Sequence, residues 1–202
     1  MAIIAKEVMT RIEPISEGVH VGICYGVVDI GSQYSKQYDK TARKVIIMWE
    51  ISDETYTDKD GNEQPRTLSR EYTLSLNEKS GLRKMLEQWR SRKFTEEERL
   101  GFDLMNIVGL PCQITVIHEE KNGNTYANMS GIMVYPKGAE PPKQHNASIY
   151  FDTTDKTLSQ LDEEMKILPE WIQNKIKESD EYKTLTTAPS NWEPAESDDL
   201  PF

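Results

Sequence analysis

The hydrophobic period of this sequence changes from two to 3.6 and back to two, and that succession limits the folds open to the chain. Residues 19–30 alternate apolar side chains with small or polar ones, which predicts a long strand. Residues 45–51 are apolar on both faces and residues 70–76 alternate, which predicts two more strands. The turn signal Asp60-Gly61-Asn62 lies between them, so we expect a hairpin with a long polar tip.

Helical spacing follows these three strands. Residues 80–92 place apolar side chains three and four positions apart, which predicts an amphipathic helix. A capping-box pattern at Thr95 and Glu98 begins a second helical piece. Strand residues return at 112–120 and 126–135, joined by an Asn-Gly turn. The predicted order is therefore three strands, a helical insertion and two strands.

This order favours one architecture over its main rival. We predict a mainly β fold: a five-stranded OB-type Greek-key barrel with a helical insertion between strands 3 and 4. A β-sandwich, the rival fold, would need about seven strands and has no central helix. OB barrels bind oligonucleotides or oligosaccharides across their second and third strands and the adjoining loops, so both ligand classes stay open at this point.

The net charge of -10 is unevenly distributed along the chain. Residues 1–138 carry 18 Lys and Arg against 20 Asp and Glu, whereas residues 139–202 carry 6 against 14. The first region is nearly balanced and can hold local basic patches. We therefore predict that the barrel domain spans residues 1–138 and that the acidity belongs to the C-terminal third of the chain.

Three further segments are predicted after the barrel. Residues 139–154 are poor in side chains that pack and contain Pro141-Pro142, which predicts an extended linker. Residues 155–183 return to helical spacing, and we expect these helices to pack on the barrel or on a second copy in a homo-oligomer, with partner binding as the alternative. Residues 184–202 contain no Lys or Arg, three prolines and four acids, which predicts a disordered acidic tail.

A basic segment with two tyrosines joins the first two strands. Residues 31–44 hold four cations and one acid, and tyrosines stand at two positions four residues apart. Single-stranded nucleic acid requires aromatic planes on which bases stack, beside cations that follow the phosphates. We therefore predict that the barrel binds nucleic acid through Tyr34, Lys36, Tyr38, Lys40, Arg43 and Lys44. The alternative is a solvated loop whose tyrosines fold back on the barrel.

Four residues on the strands complete the predicted nucleic-acid site. Arg66 and Arg70 lie on the far arm of the hairpin and extend the basic track. Trp49 and Tyr72 are aromatic candidates for stacking. Both share the parity of aliphatic neighbours, however, and that pattern favours a place in the core.

Catalytic and metal-binding patterns are absent from the sequence. The histidines and cysteines are too scattered for metal-ligand spacing, and they are His20, His118, His145, Cys24 and Cys112. We therefore expect no metal, no cofactor and no enzymatic activity. One alternative stays open, because Asp29, Glu50 and Asp53 lie at strand ends and could assemble the carboxylate site of a two-metal nuclease.

No membrane segment is predicted either. The apolar residues 1–5 are cut short by Lys6 and Glu7, and the longest apolar strip is residues 45–49. Two cysteines are too few for a disulfide scaffold, as is typical of proteins in a reducing interior. We therefore expect a cytoplasmic protein.

The last five residues combine acidic and apolar character. They are Asp198, Asp199, Leu200, Pro201 and Phe202. Such a tip suits docking: Phe202 would fill a pocket, its carboxylate would meet a cation, and the aspartates would steer the approach. The tip resembles that of bacterial single-stranded DNA-binding proteins, which end in Asp-Asp-Ile-Pro-Phe. Residues 19–135 resemble phage-encoded single-stranded DNA-binding proteins in strand order and charge layout.

This resemblance implies a function. It implies a non-catalytic protein that coats single-stranded DNA without sequence preference in the cytoplasm of a bacterial host. The five terminal residues would recruit host or phage replication, recombination and repair enzymes. The bacterial family lacks an insertion like residues 80–110 and a segment like residues 155–183, so its oligomeric state does not carry over. An accessory interaction module that uses the tip without touching DNA is the first alternative. Oligosaccharide binding would leave the tip unexplained.

Overall fold

The computed structural model describes residues 13–187, and this part of the chain forms six strands, five α-helices and two 3₁₀ helices. The strands are β1 (Gly18–Ser35), β2 (Lys40–Thr57), β3 (Glu63–Thr73), β4 (Pro111–Lys121), β5 (Asn124–Val134) and β6 (Ile149–Phe151). The α-helices are α1 (Gly81–Arg90), α2 (Glu96–Leu100), α3 (Leu158–Glu164), α4 (Glu170–Lys177) and α5 (Asp180–Thr187). The 3₁₀ helices span Leu104–Ile107 and Met165–Ile167. None of the described helices has the length and apolar character needed to cross a membrane.

The strands form one sheet in the order β3-β2-β1-β4-β5, and neighbours in this order are antiparallel. Strand β1 is long enough to serve two partners: it pairs with β4 near its start and with β2 along the rest. The pairing of β1 with β2 shifts register between Asp29 and Ser32. Gly31 lies in this bulge with φ +69°, and a Cβ there would approach Ser179 to 2.7 Å. A glycine is therefore needed where α5 meets the sheet.

The sheet is open between its two edge strands. Within residues 13–187, β3 and β5 form no backbone ladder with each other. Arg70 of β3 nevertheless donates from Nη1 to the Met129 carbonyl of β5 at 2.7 Å, so one side chain spans the gap. The predicted mainly β class and the helix between the third and fourth strands are confirmed. A closed barrel is not observed.

The first hydrophobic core lies between the inner face of the sheet and α1. The apolar face of α1 packs against β3 and β5 as its spacing predicts, and it comprises Leu82, Met85, Leu86 and Trp89. The Trp89 indole lies 6.2 Å from that of Trp49, and its Nε1–H donates to the Pro111 carbonyl at 3.0 Å. The capping box of Thr95 and Glu98 is also confirmed, at the start of α2.

A second core covers the opposite face of β1 and β2. Ile46 and Met48 of β2 are buried there against the segment that follows β6, whose buried apolar residues are Leu161, Met165, Leu168, Ile172 and Ile176. Because a core covers each face of β2, residues 45–51 are apolar on both faces of the strand. The predicted helices therefore pack on the sheet of their own chain.

Two predicted boundaries need correction. Residues 139–154 are more than a linker, because β6 lies within them and pairs in parallel with Gly26–Val28 of β1. The same segment is held by Glu50, which accepts from the backbone N–H groups of His145 and Asn146 at 2.7 and 2.8 Å. The predicted tail boundary at residue 184 falls inside α5. Residues 188–202, which include the five residues predicted to dock on partners, lie outside the described residues.

The third strand also begins earlier than predicted. It runs from Glu63 to Thr73, whereas the alternating pattern placed it at residues 70–76. Glu63, Gln64 and Pro65 continue the ladder by pairing with residues 55–57 of β2. The hairpin is therefore longer, and its irregular tip shorter, than the polar composition indicates.

Candidate nucleic-acid interface

Residues 31–44, predicted as a loop, are mostly strand: β1 continues to Ser35 and β2 begins at Lys40, so the turn itself spans residues 36–39. Tyr34 lies near the end of β1 and Tyr38 lies in the turn, and we call residues 34–40 the tyrosine loop. Ser35 pairs with Lys40, and the Tyr38 N–H donates to the Ser35 carbonyl at 3.2 Å. Tyr34 is 57% exposed and Tyr38 is 68% exposed, so both rings are open to a stacking partner. The Tyr34 hydroxyl donates to Asp39 Oδ1 at 2.7 Å, and this hydrogen bond raises the pKa of the phenol. The loop tyrosines therefore do not fold back on the sheet.

The four predicted cations of this segment divide into two pairs. Lys36 and Lys40 are exposed and form no ion pair within the described part of the chain. Arg43 instead donates from Nε and Nη2 to the buried carboxylate of Asp29, and Lys44 contacts Glu71 at 2.6 Å. The structure thus brings the two tyrosines together with two free lysines, while Arg43 and Lys44 anchor the base of the loop.

Asp29 is the anchor that fixes this base. Burial alone would raise its pKa, but hydrogen bonds from Arg43, Thr153 and the Gly31 N–H outweigh that effect and hold the pKa below its usual value. Thr153 follows β6, so the same carboxylate ties the loop to the C-terminal segment. The charged form of Asp29 is therefore the one that the folded state stabilises.

A carboxyl group whose pKa is lowered by folding stabilises the protein above its unfolded pKa and loses that contribution as the pH falls. For Asp29 the free energy of unfolding should therefore begin to decrease below about pH 5 and should continue to decrease below the ordinary aspartate pKa near 3.9, until the lower pKa of the folded state is passed. Asp29→Asn should cost about 1–3 kcal/mol at pH 7, because Arg43 loses a charged acceptor. Urea unfolding between pH 7 and pH 3 measures both effects.

The decisive comparison is the shape of the two pH profiles. Glu71, whose pKa is also lowered by Lys175 and Lys44 against the effect of burial, titrates in both proteins. The free energy of unfolding of the Asp29→Asn variant should therefore still decrease as the pH is lowered, but less steeply than that of the wild type. Parallel profiles in the two proteins would contradict the role given to Asp29.

The strand aromatics are not available to bases. Trp49 is fully buried and Tyr72 is 7% exposed, and both belong to the first core. Their prediction as stacking residues is wrong, because their parity places them on the inner face with Val45 and Ile47. The core assignment that the same parity favoured is the one observed.

Arg66 and Arg70 lie on the same strand but have different surroundings. The Arg66 guanidinium lies 5.4 Å from the Tyr56 ring centroid, toward the far end of the hairpin. Arg70 is exposed, and only Nη1 is used in the bond to Met129. Thr73 at the end of β3 pairs with Lys44, so Arg70 belongs to the same end of the sheet as the tyrosine loop.

The structure adds a cleft that the sequence did not predict. It has a volume of about 520 Å³ and lies between the end of β3 and the start of α1. Six of its lining residues are Arg70, Tyr72, Thr73, Ser75, Asn77 and Lys79. Lys79 stands in an irregular stretch without periodicity, so no local pattern could have assigned it to a site.

The carboxylates of the nuclease alternative do not come together. Asp29 is held by Arg43, and Glu50 is held by backbone N–H groups after β5. The Asp53 carboxylate lies 3.4 Å from Nδ1 of His20. No group of three metal-ligating side chains was found among residues 13–187. Nothing in the described geometry therefore supports a two-metal site.

The sequence was also compared with known proteins. No protein-family model matches it, and no curated protein matches it. The functional conclusion therefore depends on the residues of this chain.

Proposed function

We propose that this protein binds single-stranded DNA without sequence preference through its β1–β2 loop. The observation that carries the proposal is the pair of exposed rings, Tyr34 and Tyr38, beside the free ammonium groups of Lys36 and Lys40. Every base has a face that can stack on tyrosine, and every linkage has a phosphate that attracts lysine. Such a loop recognises a single strand by features common to all sequences.

The strand order supports an OB-type interpretation of the fold. The order β3-β2-β1-β4-β5, with α1 between β3 and β4, supports an OB-type fold in which β3 and β5 do not pair. The hydrogen bond from the Arg70 side chain to the Met129 carbonyl bridges the gap between β3 and β5. In folds of this type the loop between strands 1 and 2 borders the ligand, which is where the exposed tyrosines are.

The second core restricts where the strand can run. OB folds commonly bind their ligands across strands 2 and 3, but here the outward residues Ile46 and Met48 of β2 are covered by the C-terminal helices. The bound strand is therefore proposed to cross the loop end of the sheet. This path keeps it beside Tyr34 and Tyr38 and near the exposed Arg70.

The test is a fluorescence titration of the full chain with labelled oligo-dT and with a mixed-sequence oligonucleotide. Similar affinities at low salt are expected, because stacking and phosphate contacts do not depend on base identity. Adding magnesium to the labelled strand and following its length tests the nuclease alternative in the same samples. No binding at low salt, or degradation of the strand, would overturn the proposal.

We propose in addition that Asp198, Asp199, Leu200, Pro201 and Phe202 dock this protein on replication, recombination or repair enzymes of a bacterial cell. The support is the acidic composition of the tail together with its apolar tip. The acidic residues also compete with phosphates for the same lysines. Deleting residues 193–202 should therefore tighten binding of oligo-dT and abolish capture of the enzymes.

Two measurements on the deletion variant separate these effects. Oligonucleotide titration reports the competition, and pull-down from a bacterial lysate with Phe202→Ala as a second variant reports the docking. Unchanged affinity for the strand would contradict the competition. Equal capture by the wild type and both variants would contradict the role of the tip.

A further inference from the structure

The cleft between β3 and α1 has the character of an anion site. Arg70 and Lys79 supply two cations, and neither forms an ion pair within residues 13–187. The one acid of the lining, Glu71, is already neutralised by Lys44 at 2.6 Å and by Lys175 at 2.8 Å. The net charge of the cleft and its border is therefore positive.

The first turn of α1 opens on the same cleft, through Gly81. The N-cap residue Ser80 makes no side-chain cap, because its hydroxyl donates instead to the Ser75 carbonyl at 2.6 Å. The first turn also contains no acidic residue. Uncapped backbone N–H groups and the positive end of the helix dipole therefore face the cleft, as in helix-end phosphate sites.

A buried hydroxyl gives an independent indication of a ligand. Tyr72 lines the cleft and is 7% exposed, yet its hydroxyl has no hydrogen-bond partner among the described residues. Burial raises the pKa of Tyr72 to about 12, although the charge of Arg70 acts in the opposite direction, so the hydroxyl remains a donor. A buried donor without an acceptor costs free energy unless something supplies one.

We propose that this cleft binds a phosphate of the single strand. Arg70, Lys79 and the first-turn N–H groups of α1 hold the phosphate oxygens, and Tyr72 supplies a further donor. The inference rests on the proposed function, because it names a second contact on the same bound strand.

The register of the sheet puts the cleft within reach of the tyrosine loop. Thr73 lines the cleft and pairs with Lys44, which is four residues from Lys40. At about 3.3 Å per strand residue, this separation along β2 is roughly 13 Å. One oligonucleotide of moderate length can therefore contact the loop and the cleft together.

Lys79→Gln in the full chain tests the cleft, with Lys93→Gln as the matched control. Lys93 is also exposed but lies beyond the other end of α1, and both changes remove one positive charge. If Lys79 contacts a phosphate, the slope of log affinity for oligo-dT against log salt should become shallower by about 0.7 in Lys79→Gln alone. Titration at four salt concentrations gives each slope.

Backbone amide NMR of the wild-type chain gives the second readout, at Gly81, Leu82 and Arg83. Oligo-dT should shift these three signals, and inorganic phosphate alone should shift them at higher concentration. Shifts with inorganic phosphate but none with oligo-dT would overturn the proposal in favour of a free phosphate ligand. Equal slopes for Lys79→Gln and Lys93→Gln would also overturn it while strand binding itself stands. Failure of the wild type to bind any strand would instead overturn the proposed function.

Discussion

Replacing both Tyr34 and Tyr38 with alanine is expected to weaken the binding of oligo-dT by roughly thirtyfold or more. Each lost stack between a base and an aromatic ring lowers affinity by about a factor of five at least, and two stacks are removed. The two rings are 57% and 68% exposed, so their loss leaves no cavity in the core. The measurement is a fluorescence titration of the full chain at low salt.

Tyr126→Ala is the matched control for this experiment. Tyr126 is 49% exposed and lies on β5 opposite Glu119, near the β4–β5 turn. Its truncation should leave affinity within about twofold, because β4 runs antiparallel to β1 and carries this turn to the end of the sheet away from the tyrosine loop. Equal affinity of the wild type and the double variant would contradict the proposed interface and favour an accessory module that does not touch DNA.

Replacing Ile176 with alanine is expected to lower the free energy of unfolding by about 2–5 kcal/mol, because a fully buried aliphatic side chain leaves a cavity. Ile176 of α4 is 0% exposed and belongs to the second core with Ile46 and Met48. The effect should appear in a single cooperative transition, since this core joins the C-terminal segment to the sheet. Urea unfolding followed by tryptophan fluorescence and by circular dichroism measures it.

Ile167→Ala provides the control with the same chemistry. Ile167 lies in the same segment but is 67% exposed, so its truncation should change stability by less than about 0.5 kcal/mol. If residues 155–183 were a separate helical segment, Ile176→Ala would leave the main transition unchanged. That result would contradict the second core.

The parts of the fold that were predicted correctly depend on local signals. The alternation of residues 19–30, the helical spacing of Leu82 to Trp89 and the Asn-Gly turn are each encoded within a few neighbouring residues. Strand β6 could not be found in this way, because it has three residues and pairs with Gly26–Val28 more than a hundred positions earlier. The bond from His145 to Glu50 spans a similar separation.

The candidate site also combines features encoded by neighbouring residues with contacts between residues far apart in the sequence. The tyrosine loop was predictable because its aromatic and basic residues are neighbours in the sequence. The partners of Arg43 and Lys44 were not, since Asp29 and Glu71 become neighbours only through the pairing of β2 with β1 and β3. Composition therefore overestimated the number of cations free to meet phosphate.

The salt dependence of binding to a single strand, with a duplex of the same length as comparison, shows whether this protein recognises single-stranded DNA. We expect tight binding of oligo-dT at low salt, a linear fall of log affinity with log salt at about 0.7 per phosphate contact, and weaker binding of the duplex. A duplex offers no free base faces to Tyr34 and Tyr38. Equal affinity for the single strand and the duplex, or no binding of the single strand at low salt, would show that the tyrosine loop is not a single-strand binding site.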